Sequence, residues 1–129
     1  MKTKNKILLL LLGVLFLGAC KKNYLSIPYI DPNVPVSYSA QINPIWQTSC
    51  TSSSCHAAGK IPPNLVTDKS YASLVNGGFI DSTIIVPLKV ILYQQLKGLN
   101  GLTLMPPTPL STEQLNLIST WIIQGSKNN

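Results

Sequence analysis

The stretch that decides the fold is Cys50-Thr51-Ser52-Ser53-Ser54-Cys55-His56, near the middle of a chain of 129 residues. It holds two of the three cysteines, and its last residue is the only histidine. A histidine placed directly after the second cysteine is an improbable coincidence for so rare a residue type. Two thiols and an imidazole this close together indicate a site where a group is attached covalently and ligated.

The chemistry that fits this pattern best is the attachment of a c-type haem. In the motif Cys-x-x-Cys-His, two thiols add to the haem vinyl groups and the following histidine ligates the iron. Four residues separate the cysteines here instead of two. The longer spacer is tolerable because small polar residues between two fixed sulfur atoms can bulge outward. We therefore expect one haem c on Cys50 and Cys55, with His56 as the proximal iron ligand.

A second iron ligand is predicted at Met105, which is followed by two prolines. A lone methionine is more often a core residue, but the prolines favour an extended loop over a helix. A thioether opposite a histidine fills both axial positions and raises the reduction potential. The predicted function is then electron transfer and not catalysis. Without this ligand, a five-coordinate haem would suit a gas sensor or weak peroxidase.

The surrounding sequence predicts short helices separated by long loops. Asn43 suits the N-cap of a first helix that runs toward Cys50, and Asp68 suits the N-cap of a second. Apolar residues from Leu88 to Leu96 fall on one face of a third helix.

The last helix has the clearest signal. Ser111 and Gln114 match a capping box, an apolar stripe follows, and Gly125 is placed to end the helix. Helices this short rarely stand alone. The predicted fold class is therefore all-α, with short helices and long loops around a central group.

The first twenty residues predict an export signal. Three lysines precede an apolar run over 7–17, which is shorter than the roughly 20 residues of a membrane-spanning helix. Leu17-Gly18-Ala19-Cys20 resembles the lipobox of bacterial lipoproteins, whose cysteine is acylated and becomes the first residue. We expect a signal peptide over 1–19, lipidation of Cys20 and a periplasmic location; Lys21 in place of aspartate favours the outer membrane. The alternatives are an ordinary exported protein or an uncleaved anchor.

Two further segments follow the signal. Residues 20–40 are predicted to be the lipidated terminus and a proline-rich extended tether, and residues 41–129 a globular domain. The alternative for the tether is a first strand packed on the domain, formed by Tyr24, Ile27, Tyr29 and Ile30.

The composition excludes several classes of protein. With 45% hydrophobic and only 11% charged residues, the chain is not disordered. After the signal, seven lysines face four acidic residues, a net charge of +3, and the chain has no arginine. Nucleic acid is thus not expected as a partner. Two haem propionates would lower the charge to about +1, so we expect transient, local docking of redox proteins.

From 41 to 127 the sequence resembles a small monohaem cytochrome c domain. The resemblance implies a cytochrome c-like fold of short helices and long loops wrapped around one haem, with residues 41–129 as the cytochrome c-like domain. The resemblance rests on the Asn-Pro-Ile-Trp stretch, the Cys/Cys-His motif, Met-Pro-Pro and the capped final helix. It implies the thioether and ligand roles given above, and a Pro63 carbonyl that accepts a hydrogen bond from the ligand histidine. It also suggests three aromatic residues that pack on the haem or form plain core: Trp46, Tyr93 and Trp121.

Other uses of the cysteines are less consistent with the sequence. A Cys50–Cys55 disulfide would make a non-haem binding or structural lipoprotein, but it gives His56 and Met105 no role. Structural zinc needs four ligands, and no fourth cysteine or histidine remains beyond the signal. A thiol nucleophile would need a base, for which no second histidine or carboxylate pair is present.

Overall fold

The computed structural model describes residues 30–51 and 55–129, and within them the chain is helical with no strand. The all-α class is therefore confirmed. We name the α-helices α1 to α4. In chain order the elements are a π-helical turn (Tyr38–Ile42), α1 (Asn43–Ser49), α2 (Ser70–Asn76), a 3₁₀ turn (Pro87–Lys89), α3 (Ile91–Lys97) and α4 (Thr112–Ile123).

The first helical segment starts earlier than predicted. The Ser37 hydroxyl accepts a hydrogen bond from the Ala40 N–H at 3.2 Å, and the π-helical turn that begins there runs directly into α1. The prediction that Asn43 is the N-cap is wrong, because Asn43 lies inside the continuous helix. Its buried side chain donates to the Thr67 carbonyl at 3.2 Å and accepts from the Ser70 hydroxyl at 3.1 Å. Asn43 thus joins α1 to the start of α2.

The predicted cap of α2 is also wrong. Asp68 is exposed, and its carboxylate lies 3.7 Å from the Lys69 ammonium. The chain already turns before the helix, since the N–H groups of Lys69 and Ser70 both donate to the Val66 carbonyl. This backbone turn already satisfies the Lys69 and Ser70 N–H groups at the start of α2, so these two donors need no side-chain cap from Asp68.

Helix α3 is shorter than the predicted apolar face. Leu92 and Leu96 are buried, but Leu88 lies in the preceding 3₁₀ turn and is exposed. The helix ends before Gly98, whose φ of +60° is the left-handed conformation that favours glycine.

Helix α4 confirms the capping box. The Ser111 hydroxyl accepts from the Gln114 N–H at 3.1 Å, and the Gln114 side chain accepts from the Ser111 N–H at 2.9 Å. The apolar stripe of α4 is fully buried at Ile118, Trp121 and Ile122. The helix ends two residues before Gly125.

An aromatic cluster of Tyr38, Tyr71 and Trp121 ties the π-helical turn and α2 to α4. The Tyr38 ring centroid lies 5.2 Å from that of Tyr71 and 5.3 Å from that of Trp121. The cluster is fixed at its polar ends as well, because the Trp121 indole N–H donates to the Lys127 carbonyl at 2.8 Å and the Tyr71 hydroxyl donates to the Ser126 carbonyl at 2.8 Å.

The packed part of the chain begins before Gln41. The Gln124 side chain accepts from the Val36 N–H at 2.8 Å and donates to the Pro32 and Val34 carbonyls. Val36 and Tyr38 are buried in the core. Much of the second half of the predicted tether is therefore docked against the end of α4. Ile30 is half-buried and not in a strand, and the other residues of the alternative first strand lie outside the described residues.

Candidate functional site

A cavity of about 310 Å³ lies between α1, α3 and the loops that follow α1 and α3. Its wall is mostly apolar, and it contains both cysteines of the motif, the histidine and the methionine. The lining residues are Trp46, Ser49, Cys50, Cys55, His56, Ile61, Pro62, Pro63, Leu65, Leu74, Phe79, Leu92, Gln95, Leu96, Met105, Pro106 and Pro107.

No disulfide joins the two cysteines on this wall. Cys50 follows the last turn of α1, where its N–H donates to the Trp46 carbonyl at 2.8 Å. Its side chain is buried, whereas that of Cys55 is half-buried. Burial, with a smaller contribution from the neighbouring Cys55, raises the pKa of the Cys50 thiol from 9.0 to about 11. Cys50 is therefore a neutral thiol at pH 7.

The backbone on both sides of His56 is held by hydrogen bonds. Its N–H donates to the Cys50 carbonyl at 3.0 Å, and its carbonyl accepts from the Leu65 N–H at 2.8 Å. The imidazole Nδ1 lies 3.0 Å from the Ile61 carbonyl oxygen. A carbonyl can only accept, so in the neutral ring Nδ1 carries the proton and Nε2 keeps its lone pair. His56 thus presents a nitrogen that can ligate a metal.

The role predicted for Pro63 belongs to Ile61. Pro63 is buried and lines the cavity, but the carbonyl that meets the imidazole is two residues earlier. The Lys60 N–H donates to the Ala57 carbonyl at 3.1 Å, which closes a turn after His56. This turn brings the chain back to the His56 imidazole already at Ile61.

Met105 lies in the loop between α3 and α4 and lines the same cavity. Its backbone N–H donates to the carbonyl of Gln95 in α3 at 3.1 Å, and its side chain is 40% exposed. Residues 49 positions apart in sequence, His56 and Met105, therefore line one cavity.

Only one of the three predicted aromatic contacts is on this wall. Trp46 lines the cavity and is 1% exposed. Trp121 is wholly buried in the aromatic cluster, and half-buried Tyr93 packs against the core without lining the cavity. Trp121 therefore lies in the core and Tyr93 packs against it, and neither lines the cavity.

Sequence reasoning missed two contributors to the site. The Ile61 carbonyl has no residue-type signal, because any residue supplies a backbone acceptor. Gln95 also gave no signal, although its backbone and side chain both contact the methionine loop. A glutamine in the last turn of a short helix is too common for its partner to be predicted.

Within residues 30–51 and 55–129, no three histidine, cysteine, aspartate or glutamate side chains are grouped so that they could hold a metal ion. In the same part of the chain, no helix has the length and apolar character required to cross a membrane. The predicted export signal and Cys20 lie outside the described residues.

Comparisons with known proteins add no relative. A scan against protein-family models, a search of curated proteins and a search of solved structures each gave no match. The function is therefore argued from the chemistry of the cavity.

Proposed function

We propose that the chain is a membrane-tethered c-type cytochrome, which binds one covalent haem c and transfers single electrons between redox proteins. The observation that carries the proposal is that Cys50, Cys55, His56 and Met105 line the same apolar cavity. The Cys50–His56 motif and Met105 lie far apart in sequence, and the fold brings both segments to one cavity wall.

The donor set and the wall fit a haem. Free thiols can form thioether bonds with vinyl groups, and an imidazole with a thioether is the axial pair of many electron-transfer haems. The mostly apolar lining suits the faces of a porphyrin and limits access of water. When bound, the haem supplies an iron centre that gains and loses one electron.

The protein residues hold and orient this group. Cys50 and Cys55 attach it, and His56 offers Nε2 as the proximal ligand while the Ile61 carbonyl holds the other ring nitrogen. Such a hydrogen bond fixes the ring orientation and makes the ligand nitrogen more basic. Met105 supplies the distal sulfur from the loop after α3.

A carrier is favoured over an enzyme because two protein ligands leave no position for oxygen or peroxide. The residues at the edge of the cavity suit outer-sphere transfer. Ile61 is 62% exposed and Met105 40% exposed, so part of the cavity wall faces solvent as apolar surface. Redox proteins that dock there would form the small, transient interfaces usual for electron transfer.

The proposed location follows from the N-terminal sequence. Removal of residues 1–19 and acylation of Cys20 would tether the domain to a bacterial membrane on the periplasmic side, with Lys21 favouring the outer membrane.

Two variants of the distal ligand test the proposal. Met105→Leu keeps an apolar side chain of similar volume but removes the sulfur, and Met105→His supplies a nitrogen ligand instead. We expect a low-spin spectrum for the wild-type protein, loss of that spectrum and a lower reduction potential for Met105→Leu, and a low-spin spectrum with a lower potential for Met105→His. Identical spectra and potentials in the wild-type and Met105→Leu proteins would refute Met105 as a ligand and favour a five-coordinate sensor or peroxidase.

A further inference from the structure

The part of the loop nearest Met105 is bonded to α3 through Gln95. The Gln95 backbone carbonyl accepts a hydrogen bond from the Met105 N–H at 3.1 Å. The Gln95 side-chain Nε2 donates to the carbonyl of Thr103, two residues before the methionine. Gln95 therefore contacts the loop at two successive points on the approach to Met105.

The loop folds back toward α3, which brings the segment before Met105 within reach of Gln95. The loop leaves α3 at Gly98 and turns through Asn100 and Gly101, both at positive φ. It then returns so closely that a side-chain carbon placed on Gly98 would lie 3.3 Å from the Leu104 Cβ. The segment before Met105 is thus folded back on the last turn of α3.

The helix that Gln95 extends from is itself part of the cavity wall. Leu92 and Leu96 are buried and line the cavity, and the Leu92 N–H donates to the Phe79 carbonyl at 2.9 Å. Gln95 lines the cavity as well. A contact from this residue therefore fixes the loop relative to the wall.

We propose that Gln95 is a positioning residue for the distal ligand, which holds the loop so that the Met105 sulfur stays at the haem iron. The inference rests on the proposed function, since it concerns the same ligand. Gln95 does not touch the reacting iron itself. It limits how far the loop can move away, and so sets how readily another ligand replaces the methionine.

The neighbouring residue Gln94 provides a matched control. Its side-chain Nε2 donates to the Leu88 carbonyl at 2.7 Å, which holds the 3₁₀ turn before α3. Gln94 and Gln95 share residue type, helix and kind of side-chain bond, but Gln94 does not line the cavity and its side chain contacts a different segment. The Gln94 backbone carbonyl accepts from the Leu99 N–H at 2.9 Å, and Gln94→Ala keeps that bond.

The test is a titration of the haem-loaded protein with free imidazole, which displaces Met105. The displacement is monitored by loss of the near-infrared charge-transfer band of methionine-ligated ferric haem. Gln95→Ala removes the side-chain donor; Gln95→Glu keeps the length, but its carboxylate cannot donate at neutral pH. We expect both to lose the band at a roughly 2- to 10-fold lower imidazole concentration than wild type, the effect of one hydrogen bond on an equilibrium. Gln94→Ala should behave as wild type.

Hydrogen exchange gives a second readout. The Met105 amide should exchange faster in both Gln95 variants and at the wild-type rate in Gln94→Ala. Imidazole displacement at wild-type concentration in both Gln95 variants, or an equal shift in Gln94→Ala, would overturn the inference and leave the proposed function intact. A wild-type protein without methionine-ligated haem would overturn both.

Discussion

Cys50 and Cys55 flank one short segment but have different surroundings. Cys50 is buried at the end of α1, and burial raises the pKa of its thiol to about 11. A thiol reacts as its thiolate. The environment of Cys50 therefore disfavours the thiolate, which is the form that is oxidised and alkylated.

This difference predicts slow alkylation of Cys50 in the haem-free protein. At pH 7 a rise in pKa from 9.0 to about 11 lowers the thiolate fraction roughly 100-fold. Iodoacetamide labelling followed by peptide mass spectrometry should show Cys50 reacting at least ~10-fold more slowly in the folded protein than in denaturant. Equal rates in the two conditions would show that Cys50 is not buried as described.

The site residues differ in how well the sequence could predict them. The sequence could single out Cys50, Cys55, His56 and Met105, which line one cavity, because each belongs to a residue type that is rare in this chain and has its own ligand or bond-forming chemistry. The acceptor for His56 was assigned to Pro63 and is Ile61, because a backbone carbonyl is placed by the path of the loop and not by residue type. The sequence could not distinguish Trp46 from Trp121, since only the tertiary arrangement decides which indole faces the cavity.

Among the elements, the start of a helix can be predicted from sequence only where the capping residue bonds to the first turn of its own helix. The capping box of α4 involves Ser111 and Gln114 alone, so their spacing is sufficient to predict it. Asn43 and Asp68 are equally good capping residue types. Asn43 instead satisfies partners from the start of α2, and Asp68 lies within a backbone turn in which the Val66 carbonyl accepts from the Lys69 and Ser70 N–H groups.

Removal of the α4 cap should destabilise the protein. Ser111→Ala leaves the Gln114 N–H without its side-chain acceptor, and the expected loss of unfolding free energy is ~1 kcal/mol. Thermal unfolding should show a Tm lower by about 4–8 °C for a domain of this size. Ser119→Ala, within the same helix, is the control and should change Tm much less. Equal changes would mean that the cap contributes nothing specific.

On the scale of the whole molecule, the aromatic cluster and the cavity wall are two distinct parts of the apolar interior. The aromatic cluster around Trp121 joins both ends of the described chain, whereas the cavity beside α1 and α3 is a surface that a bound group would complete. A small domain with short helices depends on both parts of its core for stability.

Loss of the Trp121 side chain should therefore weaken the entire fold. Trp121→Ala removes a fully buried indole and its hydrogen bond to the Lys127 carbonyl, with an expected cost of about 3–5 kcal/mol. Tyr93→Ala, at a half-buried position outside the cluster, should cost less. Chemical denaturation of both variants measures the difference, and similar losses would contradict the structural importance of the cluster.

The central claim is that this chain carries a covalent haem on Cys50 and Cys55. The most direct measurement is a pyridine haemochrome spectrum together with an intact mass, on the full chain expressed in a host that matures c-type haem. The account predicts a c-type spectrum and a polypeptide heavier by one haem after denaturation, and loss of retained haem in the Cys50→Ala/Cys55→Ala double variant. A colourless protein with the mass of the bare chain, or with the two cysteines joined as a disulfide, would contradict it.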